Sequence, residues 1–386
     1  MTTHYEWPFF TDVHRELASR AAAWVRDQQV DDRDPDAACR EWVRLLGEAG
    51  FLRYTVPAAQ GGALPSIDSR ALCILRETFA AHDALADFAF AMQGLGTGAL
   101  TLEGSDALRK QWLTKVASGR AIAAFALSEP DAGSDAANLS TSATRVGESW
   151  QLDGVKTWIS NGGIADFYCV FARSDAASVG AKGISAFLVP ADTPGLEILE
   201  RIRTISPHPL ATIRFNSCTI PDAYRLGDEG SGFKLAMRTL DIFRVSVAAA
   251  AVGFARRALH ETVNQANSRA MFGATLGAQP LAQAIIGDMA TDLDAAALLT
   301  YRAAWQRDNS SERTTGVAAM AKLVATEYAQ TIIDRAVQMH GGNGVRVGTV
   351  VERLYRDVRA LRIYEGATEV QRLLVGRETL KSATSR

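Results

Sequence analysis

Residues 242–255 are apolar or small on nearly every side, and Arg244 is the only charge among them. At 3.6 residues per turn such a run makes a helix without a polar stripe, which is stable in water only if neighbours cover it almost all round. The chain must therefore build a helical bundle, and partners are at hand. Residues 279–308 and 314–340 carry long amphipathic patterns, the second stopping at Gly341-Gly342-Asn343-Gly344, where glycine permits a left-handed end. Val351, Leu354, Val358 and Leu361 recur at spacings of three and four in a helix expected to stop near Tyr364. Thr368 and Gln371 have the spacing of a capping box, and Val370, Leu373 and Leu374 give the next helix its apolar face. Glu365 falls in the joint between the two. Arg244 is either a functional cation or a snorkelling one.

The N-terminal part is also helical, with apolar stripes at Val13, Leu17, Trp24 and Val25, at Trp42, Leu45, Leu46 and Ala49, and at Leu72, Leu75 and Phe79. Gly94-Leu95-Gly96-Thr97-Gly98 lacks the spacing of a nucleotide loop and predicts close helix packing or a helix break. From residue 121 the texture changes to short β-like runs at 121–127, 150–152, 155–160, 167–172, 184–189, 196–200 and 212–216, with Asp153-Gly154 reading as a hairpin turn. Strands without intervening helices predict an antiparallel sheet rather than a parallel dinucleotide fold. The expected class is multidomain α+β: an N-terminal all-α domain over 1–120, a middle antiparallel β-barrel or sandwich over 121–228, and a C-terminal four-helix bundle over 229–386.

A formal charge of -2 over 386 residues gives no basic field for nucleic acid or an anionic membrane. No apolar run approaches the roughly 20 residues of a membrane span, and residues 1–10 do not read as a signal peptide. Cys39, Cys73, Cys169 and Cys218 have no paired spacing and read as reduced core thiols, and no histidine pattern suggests a metal. A cytoplasmic protein without metal is expected.

Three polar loops, 128–135, 157–163 around Trp158, and 338–344, offer hydroxyls, glycine-turn amides and a flat indole. A ring system with a phosphate tail needs that set, although each loop alone also reads as an ordinary turn. Glu365, beside Gly366 and Tyr364, is either a solvated helix-end acid or a carboxylate whose desolvation makes it a useful base.

With these features in order along the chain, the sequence resembles the acyl-CoA dehydrogenase family of flavoenzymes. The matching segments are 126–135, 156–162, 269–273, 338–344 and 353–377, at the family's spacing over nearly the whole chain. The resemblance implies FAD as cofactor, an acyl-CoA substrate, an electron-transfer flavoprotein as partner and a homotetramer. It implies that Phe125, Leu127 and Ser128 line the isoalloxazine, that Gly133 and Ser134 meet flavin phosphate and acyl-CoA, that Trp158 lies beside the ring and that Ser160 bonds N5. Ala367 and Glu369 take flavin-contacting places, while Arg269, Phe272, Gln279, Gln338, Gly341 and Gly342 match residues that reach the FAD of a neighbouring subunit. Glu365 matches the base that removes the α proton, and Asp241, Arg244, Gly366 and Arg377 match contacts to CoA.

The chain departs from the family in three places. Gly366-Ala367 replaces a usual Gly-Thr and removes a hydroxyl often given to FAD, a loss Thr368 would partly make good. Phe243 stands where some branches carry another base, and 206–210 replaces a glycine-containing stretch. Two rival readings are a dehydrogenase of carrier-protein thioesters and a non-catalytic DNA-binding flavoprotein, the latter disfavoured by the balanced charge.

Overall fold

The computed structural model of the chain describes residues 4–310 and 312–384. Five helices come first: α1 Asp12–Arg26, α2 Pro35–Glu48, α3 Ser69–His82, α4 Ala84–Glu103 and α5 Asp106–Ala117. Eight strands follow: β1 Ala123–Ala126, β2 Ser142–Val146, β3 Ser149–Ser160, β4 Phe167–Arg173, β5 Ile184–Pro190, β6 Leu196–Arg201, β7 Leu210–Pro221 and β8 Arg225–Leu226. The chain then returns to helices, α6 Gly232–Ser268, α7 Pro280–Asn309, α8 Thr315–His340, α9 Val350–Val358 and α10 Thr368–Thr384, with a small hairpin of β9 Ala270–Met271 and β10 Ala274–Thr275 after α6. The expected succession of helical, sheet and helical regions is present. Among the described residues no helix is long and apolar enough to cross a membrane.

Two compact units form. One takes the residues up to Gln28, Ser69–Asp87 and Arg244 onward; the other takes Gln29–Asp68 and Phe88–Phe243.

In the helical unit α8 packs against α7, α9 and α10, and α3 packs against α1 and α7. The apolar run behaves as its composition demands, with Val245, Val247, Ala248, Ala249, Ala250, Ala251 and Val252 all buried. Gly253 lets α6 meet the α3 backbone, because a Cβ there would lie 2.3 Å from the Glu77 carbonyl oxygen. One charged pair is enclosed, Arg76 with Asp87, and a second, Glu77 with Arg256, is buried on the carboxylate side. Arg76 donates from Nε and Nη2 to Asp87 at 2.8 Å each and from Nη1 to Ser246 at 3.1 Å. Glu77 accepts from Arg256 at 2.7 Å and from the Tyr301 hydroxyl at 2.6 Å. Burial favours the protonated form of Glu77, but His4, Arg256 and Tyr301 outweigh it and hold the carboxyl well below the usual range.

In the other unit the sheet runs β6-β7-β3-β2-β4-β5-β8, with β1 paired to β4. β4 and β5 are buried along almost their whole length, the mark of a strand covered on both faces. The sheet is mixed rather than antiparallel throughout, since β1 and β2 both pair with β4 in parallel.

The expected hairpin at Asp153-Gly154 is not a turn. β3 continues through it as one 12-residue strand, with register shifts against β7 between Leu152 and Gly154 and between Lys156 and Ile159. Gly154, at φ +149°, has no room for a side chain, because a Cβ would lie 2.6 Å from Thr141 Oγ1. Asp153 turns its carboxylate to the backbone N–H of Ser217 at 2.6 Å. The strongest local hairpin signal therefore marks a bulge, and the chain reverses at Gly147-Glu148 between β2 and β3.

The glycines at 94, 96 and 98 do serve close packing. Cβ atoms there would lie 2.4 Å from Phe243 Cε1, 2.7 Å from Ala123 Cβ and 2.3 Å from Thr239 Cγ2.

Candidate active site

Glu365 sits between the 3-10 turn Arg359–Arg362 and the start of α10. It adopts φ +51°, followed by Gly366 at φ +95°. A left-handed non-glycine residue costs about 1–2 kcal/mol, so other contacts must hold it there. Two fully buried side chains do so. Lys322 of α8 donates from Nζ to the Gly366 carbonyl at 2.7 Å, and Gln371 of α10 donates from Nε2 to the same oxygen at 2.9 Å and to the Glu365 carbonyl at 3.4 Å.

The Gln371 amide thus faces backwards onto carbonyls, and the expected capping box is absent. Thr368 is buried and donates its hydroxyl to Glu327 at 2.6 Å, so its proton is already committed. Arg362 completes that cluster through Nε to Glu327 at 2.9 Å.

Glu365 is half-buried, but its Oε2 is shielded from water and has no hydrogen-bond partner among the described residues. Burial raises its proton affinity above the ordinary carboxylate value; Arg76, Lys322 and Arg244 oppose the rise, and Asp87 adds to it. A carboxylate so held, with an unengaged oxygen, accepts a proton more readily than an ordinary one. Arg244 is only 5% exposed, so it does not snorkel. Gly366 lies in the same turn; Arg377 and Glu369 are exposed on α10, and Ala367 is half-buried at its start.

In the sheet unit, β1 delivers Phe125, Leu127 and Ser128 to the loop 128–135, where Gly133 and Ser134 are exposed. The loop is anchored from beneath. Glu129 accepts from Lys156 Nζ at 2.8 Å and from the backbone N–H groups of Ser140 at 2.6 Å and Thr141 at 2.9 Å; Lys156 also donates to the Leu127 carbonyl at 2.9 Å. Burial would raise the Glu129 pKa, but the Lys156 ammonium and these hydrogen bonds bring it down to about 2. The Thr157 N–H donates to the Ser128 carbonyl at 3.0 Å and joins the loop to β3. Trp158 then takes φ +59° at the second register shift, which turns its indole outward to 59% exposure, two residues before Ser160.

Asp241 is half-buried on α6. The remaining candidates lie in the helical unit. Phe272 tips the β9–β10 hairpin at φ +50° and is 89% exposed. Arg269 and Gly341 adjoin, since a Cβ at Gly341 would lie 3.3 Å from Arg269 Nη1. Gln338, Gly342 and Arg269 are exposed, and Gln279 precedes the first turn of α7.

Known proteins carry the same plan. Residues 11–120, 124–218 and 230–380 match, in turn, the N-terminal, middle and C-terminal domains of acyl-CoA dehydrogenase.

The chain belongs to the acyl-CoA dehydrogenase family.

The short-chain specific acyl-CoA dehydrogenase of Homo sapiens mitochondria is 41% identical over 346 residues, 89% of this chain and 83% of that protein. The butyryl-CoA dehydrogenase structure from Megasphaera elsdenii superposes with a TM-score of 0.90 at 30% identity, covering 96% of this chain and 99% of that one. A chain in the structure of the electron transferring flavoprotein of Acidaminococcus fermentans has the same TM-score at 32% identity, covering 96% and 98%.

The family resemblance did not single out Lys322, Gln371, Arg76 or Asp87, all of which act on the Glu365 turn. Lys322 carried a legible signal: Ala318, Ala325 and Ala329 share its face of α8 and are buried, so a lysine falls in the middle of an apolar stripe. Arg76, between Leu72, Leu75 and Phe79, carried the same one.

Proposed function

We propose that this chain oxidises an acyl-CoA thioester between its α and β carbons, giving the trans-2-enoyl-CoA, and passes the electrons to an electron-transfer flavoprotein. The observation that carries this reading is Glu365: a left-handed, water-shielded carboxylate with an unengaged oxygen, in a chain that matches all three domains of the family. FAD supplies the acceptor for the β hydride. Phe125, Leu127, Ser128, Gly133, Ser134, Trp158 and Ser160 would hold it, and the donor set fits: an exposed indole, an open glycine turn and the Ser134 and Ser160 hydroxyls, which no side chain engages among the described residues. Arg269, Phe272, Gln279, Gln338, Gly341 and Gly342, exposed or at a helix start, would serve the FAD of a neighbouring subunit in a homotetramer. Ala367 and Glu369 would add flavin contacts at the start of α10.

Glu365 removes the α proton. Desolvation makes its carboxylate more basic, and Arg76, Lys322 and Arg244 favour the ionised form. As the proton leaves, negative charge builds on the thioester oxygen and needs a donor. The Glu365 N–H is suited to this, since it makes no backbone hydrogen bond among the described residues. Asp241, Arg244, Gly366 and Arg377 would contact CoA, with Ser134 shared between CoA and flavin. Four free, buried thiols suit a reducing compartment, which we take to be the cytoplasm.

The test is anaerobic addition of butyryl-, octanoyl-, branched and cyclic acyl-CoAs to the FAD-loaded protein, beside carrier-bound butyryl thioester. Bleaching at 450 nm by at least one free CoA thioester is expected. Bleaching by the carrier-bound thioester alone, or by none, would overturn the assignment.

A further inference from the structure

Lys322 is wholly buried, and its hydrogen bond goes to a backbone carbonyl rather than to a carboxylate. Burying an ammonium group costs several kcal/mol, more than one such bond returns. What its place secures is the turn. The Gly366 carbonyl uses both lone pairs, one for Lys322 Nζ at 2.7 Å and one for Gln371 Nε2 at 2.9 Å, from two different helices. The oxygen they grip is the carbonyl of the residue after Glu365, and Gln371 Nε2 also reaches the Glu365 carbonyl at 3.4 Å, so both ends of the Gly366 backbone are held beside a residue whose φ of +51° sets the direction of its side chain. A side chain at Gly366, itself at φ +95°, would displace the Gln371 amide, since a Cβ would lie 2.3 Å from its Nε2.

We propose that Lys322 and Gln371 are positioning residues for proton abstraction, their donors converging on the Gly366 carbonyl to pin the left-handed turn that aims Glu365. The inference rests on Glu365 being the base. The two residues differ in one respect. Gln371 is neutral and supplies geometry alone, whereas Lys322 also places a positive charge beside the carboxylate. Charged groups acting on Glu365 are Arg76 on α3, Asp87 on α4, Arg244 on α6 and Lys322 on α8. Glu327 and Arg362 act on Lys322 itself, whose ammonium burial depresses to about 8.

The sign follows from the charge. Without Lys322 the anionic form of Glu365 loses a stabilising cation, so the acid limb of kcat/KM moves to higher pH. Lys322→Met and Gln371→Met are to be measured as FAD-loaded proteins for kcat and for the pH profile of kcat/KM. A 13C carboxyl NMR titration without substrate, with the Glu365 signal assigned by its loss in Glu365→Gln, reads the proton affinity directly. Both variants are expected to lose tenfold or more in kcat while keeping FAD stoichiometry. Only Lys322→Met moves the limb and the NMR midpoint upward, and Lys322→Arg restores most of that shift. A core lysine with no role at the turn would lower Tm and leave both pH readouts in place. The inference is overturned if Lys322→Met, or Lys322→Gln should the first variant not fold, keeps the wild-type limb and midpoint, or if Gln371→Met shifts them equally. Should wild type reduce its flavin while these readouts stay put, only the positioning roles fail; should no acyl-CoA reduce wild type, the proposed function fails and takes the roles with it.

Discussion

At the scale of single residues, the molecule spends buried charge where a loop must be held. Glu129 and Lys156 form an enclosed pair under the 128–135 loop, both nearly inaccessible to water. Removing one partner leaves the other charge uncompensated, so Glu129→Gln is expected to cost about 3–5 kcal/mol by urea unfolding at pH 7. The sign with pH follows from the lowered carboxyl. Its contribution is complete above the unfolded value of about 4.3 and disappears as pH falls through the folded value of about 2. The gap between wild type and variant should therefore narrow steadily below pH 5, and a gap independent of pH from 7 to 2 would contradict the pairing. Glu365 was legible in the sequence as an acid in a helix joint, but its left-handed φ was not, because the contacts around that turn, from Lys322 and Gln371 to the Gly366 carbonyl, come from side chains whose meeting no spacing encodes.

At the scale of elements, sequence periodicity located α7 and α8 to within a residue, since both bury continuous faces and the pattern records it, whereas of α6, Gly232–Ser268, the apolar run marked only 242–255. The sheet was less legible. Asp153-Gly154 has the composition of a turn, but pairing with β7 along β3 overrides that local preference and makes it a bulge. A second bulge turns Trp158 outward, so the residue most visible as a ring-stacking candidate owes its exposure to a register shift that the sequence does not announce. The glycine run at 94–98 lacked phosphate-loop spacing and left packing or a helix break; α4 runs through it unbroken, so it serves packing. Its quantitative test is Gly94→Ala, where the new methyl would meet Phe243 Cε1 at 2.4 Å. A loss of about 1–3 kcal/mol in unfolding free energy is expected, with part recovered when Phe243→Leu is added. Strict additivity of the two substitutions would contradict the close approach.

At the scale of the whole molecule, the proposed chemistry draws on both compact units. The helical one carries the acid and the cations that tune it; the sheet unit carries the loops suited to a flavin. Charge balance could exclude a nucleic-acid field, but it could not say that acid and loops serve one reaction; that proposal leans on the family's three domains in order. The central claim is that Glu365 removes the α proton, and its most direct test is single-turnover reduction of the bound flavin by acyl-CoA in Glu365→Gln. The variant should bind FAD and acyl-CoA as wild type does and bleach slower by about three or more orders of magnitude, because the carboxylate acts in the transition state. Bleaching within tenfold of the wild-type rate would contradict the account.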